Sequence, residues 1–372
     1  MSFEIIEKHG DHEEIVFCNN KEVGLKAIIA IHNTTLGPAL GGTRMWNYEN
    51  DEEALIDVLR LSKGMTYKAS AAGLNLGGGK AVIIGDSKTQ KTEALFRAFG
   101  AFVNSLHGMY ITAEDVGTTV KDMEYIFMET PYVTGIPKAF GGSGDPSPYT
   151  AHGVLMGIKA VAKRRLNADS LEGVRVAVQG LGNVGSNLVD YLIAEKAIVT
   201  VADIDKTRVK NICDKYELQS VDPNGIVTSE CDIFAPCALG AGINDQTISQ
   251  LKCQAIAGGA NNQLAEDRHA AALKELGILY APDYVTNAGG LMNVFVELEG
   301  YSAERAIDKT AQVYDNLMKV FDIAEKENCT THDAANRLAE SRINSIGGIR
   351  KHQQGRMSRP FSTLKEMTDR QK

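Results

Sequence analysis

The segment from Val174 to Asp203 restricts the fold more than any other part of the chain. Val174-Arg-Val-Ala-Val178 is a short apolar run rich in β-branched residues, and Gly180-Leu-Gly182-Asn-Val-Gly185 follows it at once. Leu188, Val189 and Leu192 then recur at helical spacing. Strand, glycine turn and helix in this order open a doubly wound α/β domain. The first glycine permits the tight turn, the second leaves backbone open to a pyrophosphate, and the third lets the helix lie on the strand. Gly180, Leu181, Gly182, Asn183, Val184 and Gly185 are therefore candidate cofactor-binding residues, with phosphates seated on the free amides of the helix N-terminus. Ile198-Val-Thr-Val-Ala202 reads as the next strand and ends on Asp203. A carboxylate at that strand end accepts from ribose hydroxyls and repels a 2′-phosphate, so the predicted cofactor is NAD rather than NADP.

Three further short strands are predicted, Asp232-Ile-Phe-Ala235, Ala255-Ile-Ala257 and Ile278-Leu-Tyr280. Each runs into a loop of small or amide residues: Pro236-Cys-Ala-Leu-Gly240, Gly258-Gly-Ala-Asn-Asn262 and Asn287-Ala-Gly-Gly290. In a doubly wound sheet such loops gather at the carboxyl ends of the strands, where ligands bind. Asn262 and Asn287 are candidates for contacts to nicotinamide or substrate, and an ordinary turn role stays open for both.

The front half is organised around Gly73-Leu-Asn-Leu-Gly-Gly-Gly-Lys80, which places a lysine behind three glycines and ahead of the apolar run Ala81-Val-Ile-Ile84. It is not a nucleotide phosphate loop, because Leu74 stands where the first glycine belongs and Ala81 where a magnesium-binding hydroxyl belongs. Gly77, Gly78 and Gly79 read as a surface open to substrate, with Lys80 over it. The glycines alone leave open a tight turn carrying a solvated lysine.

Strands are expected over about Glu4 to Cys18 and Leu25 to His32, and an irregular glycine-rich connection over Thr34 to Thr43. A helix is predicted from Asp51, with Leu55, Val58, Leu59 and Ser62 on one face. A second carries Leu95, Phe96, Phe99, Phe102, Val103 and Leu106, an aromatic stripe that reads as core. Tyr110-Ile-Thr-Ala-Glu-Asp-Val-Gly117 is a short strand ending in two acids. Thr119 and Asp122 can close a capping box for the helix that follows, which frees Asp115 for a functional role. Phe140-Gly-Gly-Ser-Gly-Asp-Pro-Ser-Pro148 is the most linker-like stretch, with Ser147 and Pro148 expected to start the next helix. The expected division is α/β in two domains. A mixed α/β substrate and oligomerisation domain covers 1–140, with 331–372 returning to it, and a Rossmann-type NAD-binding domain covers 141–330.

The chain has 372 residues and a formal net charge of −8, which argues against nucleic acid or an anionic membrane as the main partner. Basic residues do cluster at the end (Arg350, Lys351, Arg356, Arg359, Lys365, Arg370, Lys372), a pattern read as a solvated tail or a subunit contact. The six cysteines are dispersed without metal-ligand spacing, and His12-Glu13 meets Val16 where a metalloprotease helix needs its second histidine. No metal is expected. The charged N-terminus and the lack of a long apolar run lead to the expectation of a cytoplasmic protein.

Gly73-Leu-Asn-Leu-Gly-Gly-Gly-Lys80, Thr112-Ala-Glu-Asp115-Val-Gly-Thr-Thr119, Gln179-Gly-Leu-Gly-Asn-Val-Gly185, Ala235-Pro-Cys-Ala-Leu-Gly240 and Asn287-Ala-Gly-Gly290 resemble, in the same order, motifs of the glutamate/leucine/phenylalanine/valine dehydrogenases. Within that family the likeness is strongest to the leucine dehydrogenases. It extends from the N-terminal sheet to Arg342. The resemblance implies NAD-dependent oxidative deamination of an L-amino acid to its 2-oxo acid with release of ammonia, and a homo-oligomer, an octamer. It implies that Lys68 pairs with the substrate carboxylate, that Lys80 is the catalytic lysine and that Asp115 is its proton-transfer partner. Gly41 and Gly42 would lie near the substrate and Asn262 near its amine. Leu40, Ala113, Leu291 and Val294 match positions lining the side-chain pocket. All four are apolar, which disfavours glutamate and points to leucine, valine or isoleucine. Position 291, valine in leucine dehydrogenases, is leucine here, and one methylene shifts discrimination by only ~1–3 kcal/mol. Chemically, a lysine next to a second lysine and an apolar strand has its charged form disfavoured and can act as a base. Phenylalanine or tryptophan dehydrogenation is the alternative within the family. Outside it stand a hydroxy-acid dehydrogenase, which would need a histidine beside the glycine motifs, and a non-catalytic NAD-binding sensor.

Overall fold

The computed structural model describes residues 2–238 and 240–351. Leu239 and the basic cluster beyond Lys351 lie outside the described residues, as do the side chains of Arg350 and Lys351. Two compact units emerge. The first comprises residues up to Asp145, Val294–Ala303 and the chain from Ala339; the second comprises Pro146–Asn293 and Glu304–Leu338. The chain therefore returns to the first unit twice, at Val294 and again at Ala339, with residues 304–338 in the second unit between the two returns.

The first unit holds a mixed sheet of β1 (Glu14–Asn20), β2 (Leu25–Asn33), β3 (Ala39–Leu40), β4 (Thr43–Trp46), β5 (Gly77–Ile84) and β6 (Tyr110–Ile111). Their order is β1-β2-β5-β3-β6, with β4 pairing β5 beyond β3. β1, β2 and β5 are antiparallel neighbours, whereas β3 and β4 run parallel to β5. Alternation along the strands feeds two cores. Ala27, Ile29, Ile31, Met45, Ala81 and Ile83 meet Phe96, Phe99 and Val103 on one face. Ile28, Ala30 and Val82 meet Leu55, Val58 and Leu59 of the helix Asp51–Ala71 on the other.

Two expectations change here. Residues Ser2–His9 form a helix rather than a strand. Ile5 and Ile6 pack on the second core, and Gly10 with φ +124° ends the turn. The stretch Thr34 to Thr43 is not wholly irregular, since Ala39 and Leu40 form a two-residue strand between β5 and β6. The helix from Asp51, capped by Asn50, runs through Lys68 to Ala71. The Thr119–Asp122 capping box is present.

The second unit is a parallel sheet of β7 (Arg175–Gln179), β8 (Ile198–Ala202), β9 (Gln219–Ser220), β10 (Ile233–Pro236), β11 (Ala255–Ile256) and β12 (Leu279–Tyr280). Its order, β12-β11-β10-β7-β8-β9, is that of a doubly wound dinucleotide-binding sheet with the reversal between β7 and β10. Its first helix, Ser147–Val161, starts after Pro146 as N-cap, one residue earlier than expected. Among the described residues no helix is long and apolar enough to cross a membrane.

Candidate active site

Lys80 and Asp115 meet in the first unit. Lys80 lies on β5, on the same face as Val82, and is 5% exposed; its Nζ is 3.0 Å from Asp115 Oδ1. Asp115 follows β6 in a backbone pinned to β4: Thr43 N–H donates to Ala113 O, Met45 N–H to Val116 O, and Asp115 N–H to Thr118 Oγ1. Gly117, with φ +82°, takes the turn beyond it.

A third charged group, not foreseen from sequence, completes the cluster. Arg44 on β4 donates from Nε to Asp115 Oδ2 at 3.0 Å and from Nη1 to Asp57 Oδ2 at 2.8 Å. Its place follows from the sheet register: Arg44 pairs with Val82, so it shares the face that carries Lys80. Burial, the largest influence, pulls the Lys80 ammonium below its ordinary value; Arg44 adds to the fall and Asp115 opposes it. Arg44 is thus a like charge acting on Lys80 that the sequence did not point to. Lys68 sits half-buried in the last turn of the helix Asp51–Ala71. Burial would raise Asp115, but Lys80 and Arg44 outweigh it and hold the carboxyl below its ordinary value. The neighbouring Glu114 carboxyl is pushed up to about 7, mainly by burial and further by Asp145 and Asp115.

The glycines before Lys80 are packing residues, which corrects their reading as a surface open to substrate. They are part of β5 and buried. A Cβ on Gly77 would sit 2.0 Å from Asn33 O, one on Gly78 2.1 Å from Thr66 N, and one on Gly79 2.7 Å from the Tyr110 ring. The run exists because a helix backbone lies directly on one face of the strand and an aromatic ring on another part of it. Gly41 and Gly42 are equally tight, with 1.7 Å to Gly79 O and 2.4 Å to Glu114 O. Leu40 and Ala113 are buried beside them at 2% and 8% exposure.

In the second unit the three glycines of the β7 turn differ in what surrounds them. Gly180 has φ +97°. A Cβ on Gly185 would fall 1.9 Å from Gly180 O, whereas at Gly182 the nearest atom is Arg208 Nη1 at 4.0 Å. The middle glycine thus faces open space at the N-cap of the helix Asn183–Ala194, whose first amides have no intrahelical acceptor. Leu181 N–H donates to Asp203 Oδ2 at 2.5 Å, which ties the carboxylate at the end of β8 to the glycine turn. An open cradle of amides beside a strand-end carboxylate fits the pyrophosphate and ribose of a dinucleotide.

The loop Gly258 to Gln263 is clamped by residues on either side. Asn287, 4% exposed, donates from Nδ2 to Asn261 Oδ1 at 2.7 Å. Gln263, which the sequence did not single out, donates from Nε2 to Gly258 O and Ala260 O. Asn262 is exposed with φ +51°, and its carbonyl accepts from Ala241 N–H. The glycines of Asn287-Ala-Gly-Gly290 serve packing, since a Cβ on Gly289 would sit 2.1 Å from Tyr149 O. Leu291 and Val294 are buried, three residues apart on the helix Gly289–Leu298.

Comparison with known proteins decides the family. Residues 12–132 match the model of the Glu/Leu/Phe/Val dehydrogenase dimerisation domain, and 141–208 with 204–347 match that of the glutamate/leucine/phenylalanine/valine dehydrogenases. The chain belongs to the glutamate/leucine/phenylalanine/valine dehydrogenase family. This member of the family is 60% identical over 336 residues to the leucine dehydrogenase of Geobacillus stearothermophilus, covering 90% of this chain and 92% of that one. It is 50% identical over 350 residues to the phenylalanine dehydrogenase of Bacillus thermotolerans, covering 93% and 92%. Among solved structures, L-tryptophan dehydrogenase from Nostoc punctiforme superposes with a TM-score of 0.81 at 47% identity, covering 93% and 99%. The chain is accordingly an amino acid dehydrogenase.

Proposed function

We propose that the protein catalyses NAD-dependent oxidative deamination of a branched-chain or aliphatic L-amino acid to its 2-oxo acid and ammonia. The observation that carries this reading is the contact of buried Lys80 with Asp115 at 3.0 Å, in a chain whose relatives at 57–60% identity are leucine dehydrogenases. NAD, when bound, supplies the hydride acceptor for the substrate Cα. Gly180 to Gly185 would hold its phosphates and Asp203 its ribose, and Asn287 is a candidate for its nicotinamide end.

Lys80, with its charged form disfavoured by burial, can take a proton at Nζ from the water that attacks the substrate iminium. Asp115, ionised beside Lys80 and Arg44, is placed to take the proton that the substrate ammonium sheds before hydride transfer and to return it to the carbinolamine nitrogen as ammonia departs. Lys68 is assigned to the substrate carboxylate, Gly41 and Gly42 to backbone contacts near it, and Asn262 to its amine. Leu40, Ala113, Leu291 and Val294 are assigned to the side chain. An apolar lining leaves a γ-carboxylate without a partner, so glutamate is a poor substrate. We further propose a cytoplasmic homo-octamer, which light scattering after gel filtration would test; the six free thiols fit a reducing compartment.

The direct test is NADH formation across a panel of branched, straight-chain and aromatic L-amino acids, with the reverse reaction run on 4-methyl-2-oxopentanoate with and without ammonia. The reading expects leucine, isoleucine and valine to lead and the reverse reaction to require ammonia. A preference for phenylalanine or tryptophan would move the enzyme within its family. Ammonia-independent turnover would contradict deamination.

A further inference from the structure

The charge cluster reaches beyond the two residues assigned to chemistry, and it does so in one direction. Asp115 uses Oδ1 for Lys80 and Oδ2 for Arg44. The Arg44 fork is itself fixed at its far side, where Asp57 Oδ2 accepts from Nη1. Asp57 is then held twice more, by Tyr48 Oη at 2.8 Å on the same oxygen and by Arg60 Nη2 at 2.9 Å on the other. Arg44, Asp57 and Asp115 have side chains only 22%, 15% and 22% exposed. A planar guanidinium bridging two carboxylates fixes the rotation of each, which a single ammonium cannot do.

We propose that Arg44 is a positioning residue: braced by Asp57, it holds the Asp115 carboxylate so that Oδ1 faces Lys80. The inference rests on the assignment of Lys80 and Asp115 to proton transfer. Arg44 does not enter the chemistry. It acts through Asp115, by geometry and by a fixed positive charge. The groups facing the pair include Lys80 from β5, Arg44 from β4, Asp57 and Arg60 from the helix Asp51–Ala71, Tyr48 before that helix, and Tyr110 and Glu114 around β6. Arg44 lowers both Lys80 and Asp115, so its removal moves both upward and shifts the pH range of activity to the alkaline side. A neighbouring charge at hydrogen-bond distance displaces a titration by roughly 1–3 units.

The test is the pH profile of kcat for NAD-dependent leucine oxidation by the full-length enzyme and by Arg44→Gln, Arg44→Lys and Asp115→Asn, with thermal unfolding of each. Arg44→Gln is expected to lose kcat by about tenfold or more near neutrality, with KM changed less, and to shift its acidic limb up by about 1 pH unit. Arg44→Lys is expected to restore the position of the limb but not the full rate, because the charge is back and the fork is not. A loss of rate in Arg44→Gln with an unshifted limb, or full kcat in Arg44→Lys, would overturn the proposal. If Arg44→Gln does not fold, Arg44→Lys alone decides. Asp115→Asn separates the two layers: wild-type activity there overturns the underlying assignment, whereas an inactive Asp115→Asn beside an unaffected Arg44→Gln overturns only the role of Arg44.

Discussion

Gly78→Ala tests whether the glycine run before Lys80 is a packing device. The added Cβ would lie 2.1 Å from both Thr66 N and Thr66 Oγ1 and 2.6 Å from Ser62 O, in the helix Asp51–Ala71. Ordinary contact begins at 3.4 Å, so strand or helix must retreat by about 1.3 Å, and two of the three obstacles are backbone atoms that cannot rotate away. Overpacking of this kind costs about 1–3 kcal/mol, against a gain of about 0.4–1 kcal/mol from the stiffer unfolded chain. A retreat of that size is also enough to open the 3.0 Å Lys80–Asp115 contact, and a 1 Å misplacement at a reacting group costs on the order of 10²-fold in rate. The assay pairs urea unfolding midpoints with kcat for leucine. Gly64→Ala is the control, since it lies on the same helix with nothing within 4 Å of its Cβ and should be neutral or stabilising. Wild-type midpoint and kcat in Gly78→Ala would refute the packing argument.

Other outcomes follow from the same geometry. Asp203→Ser removes the carboxylate that reaches the glycine turn, and the NAD over NADP preference in kcat/KM should fall by at least tenfold; an unchanged ratio would mean another residue reads the ribose. Gly185→Ala places a methyl 1.9 Å from Gly180 O and should weaken NADH binding in a fluorescence titration together with stability; unaltered binding would remove that glycine from the cradle. His32, mainly through burial, has its pKa lowered to about 4, beneath the roughly 6.5 of an unfolded chain. The unfolded state then binds more protons between those values, so this contribution to stability is full above about pH 6.5 and lost as pH falls to about 4. His32→Asn should flatten the fall in melting temperature between pH 7 and 5, and an identical slope would show that other groups set it.

What the sequence revealed, and what it hid, follow the range over which each signal acts. The β7 turn was readable because strand, three glycines, helix and Asp203 lie within one continuous segment, in which Gly180 and Gly185 are sterically required and Gly182 leaves the backbone open. The capping box of Thr119 and Asp122 is likewise local. The Gly77–Gly79 run was misread because its reason is distant: the atoms that forbid side chains belong to Asn33, Thr66 and Tyr110, and a sequence does not show which helix lies on which strand. Arg44 was missed for the same reason, since its two carboxylates come from a helix 13 residues on and a loop 71 residues on. The helix Ser2–His9 escaped because Ile5 and Ile6 are adjacent, a pattern that an apolar strand also shows.

Whether the buried lysine poised against Asp115 performs amino acid deamination is decided by rapid-mixing measurement of NADH formation from L-leucine by wild-type and Lys80→Ala enzyme. Lys80→Ala is expected to bind NADH with near wild-type affinity while its rate of NADH formation falls by several orders of magnitude. A Lys80→Ala enzyme that forms NADH from leucine at the wild-type rate would contradict it.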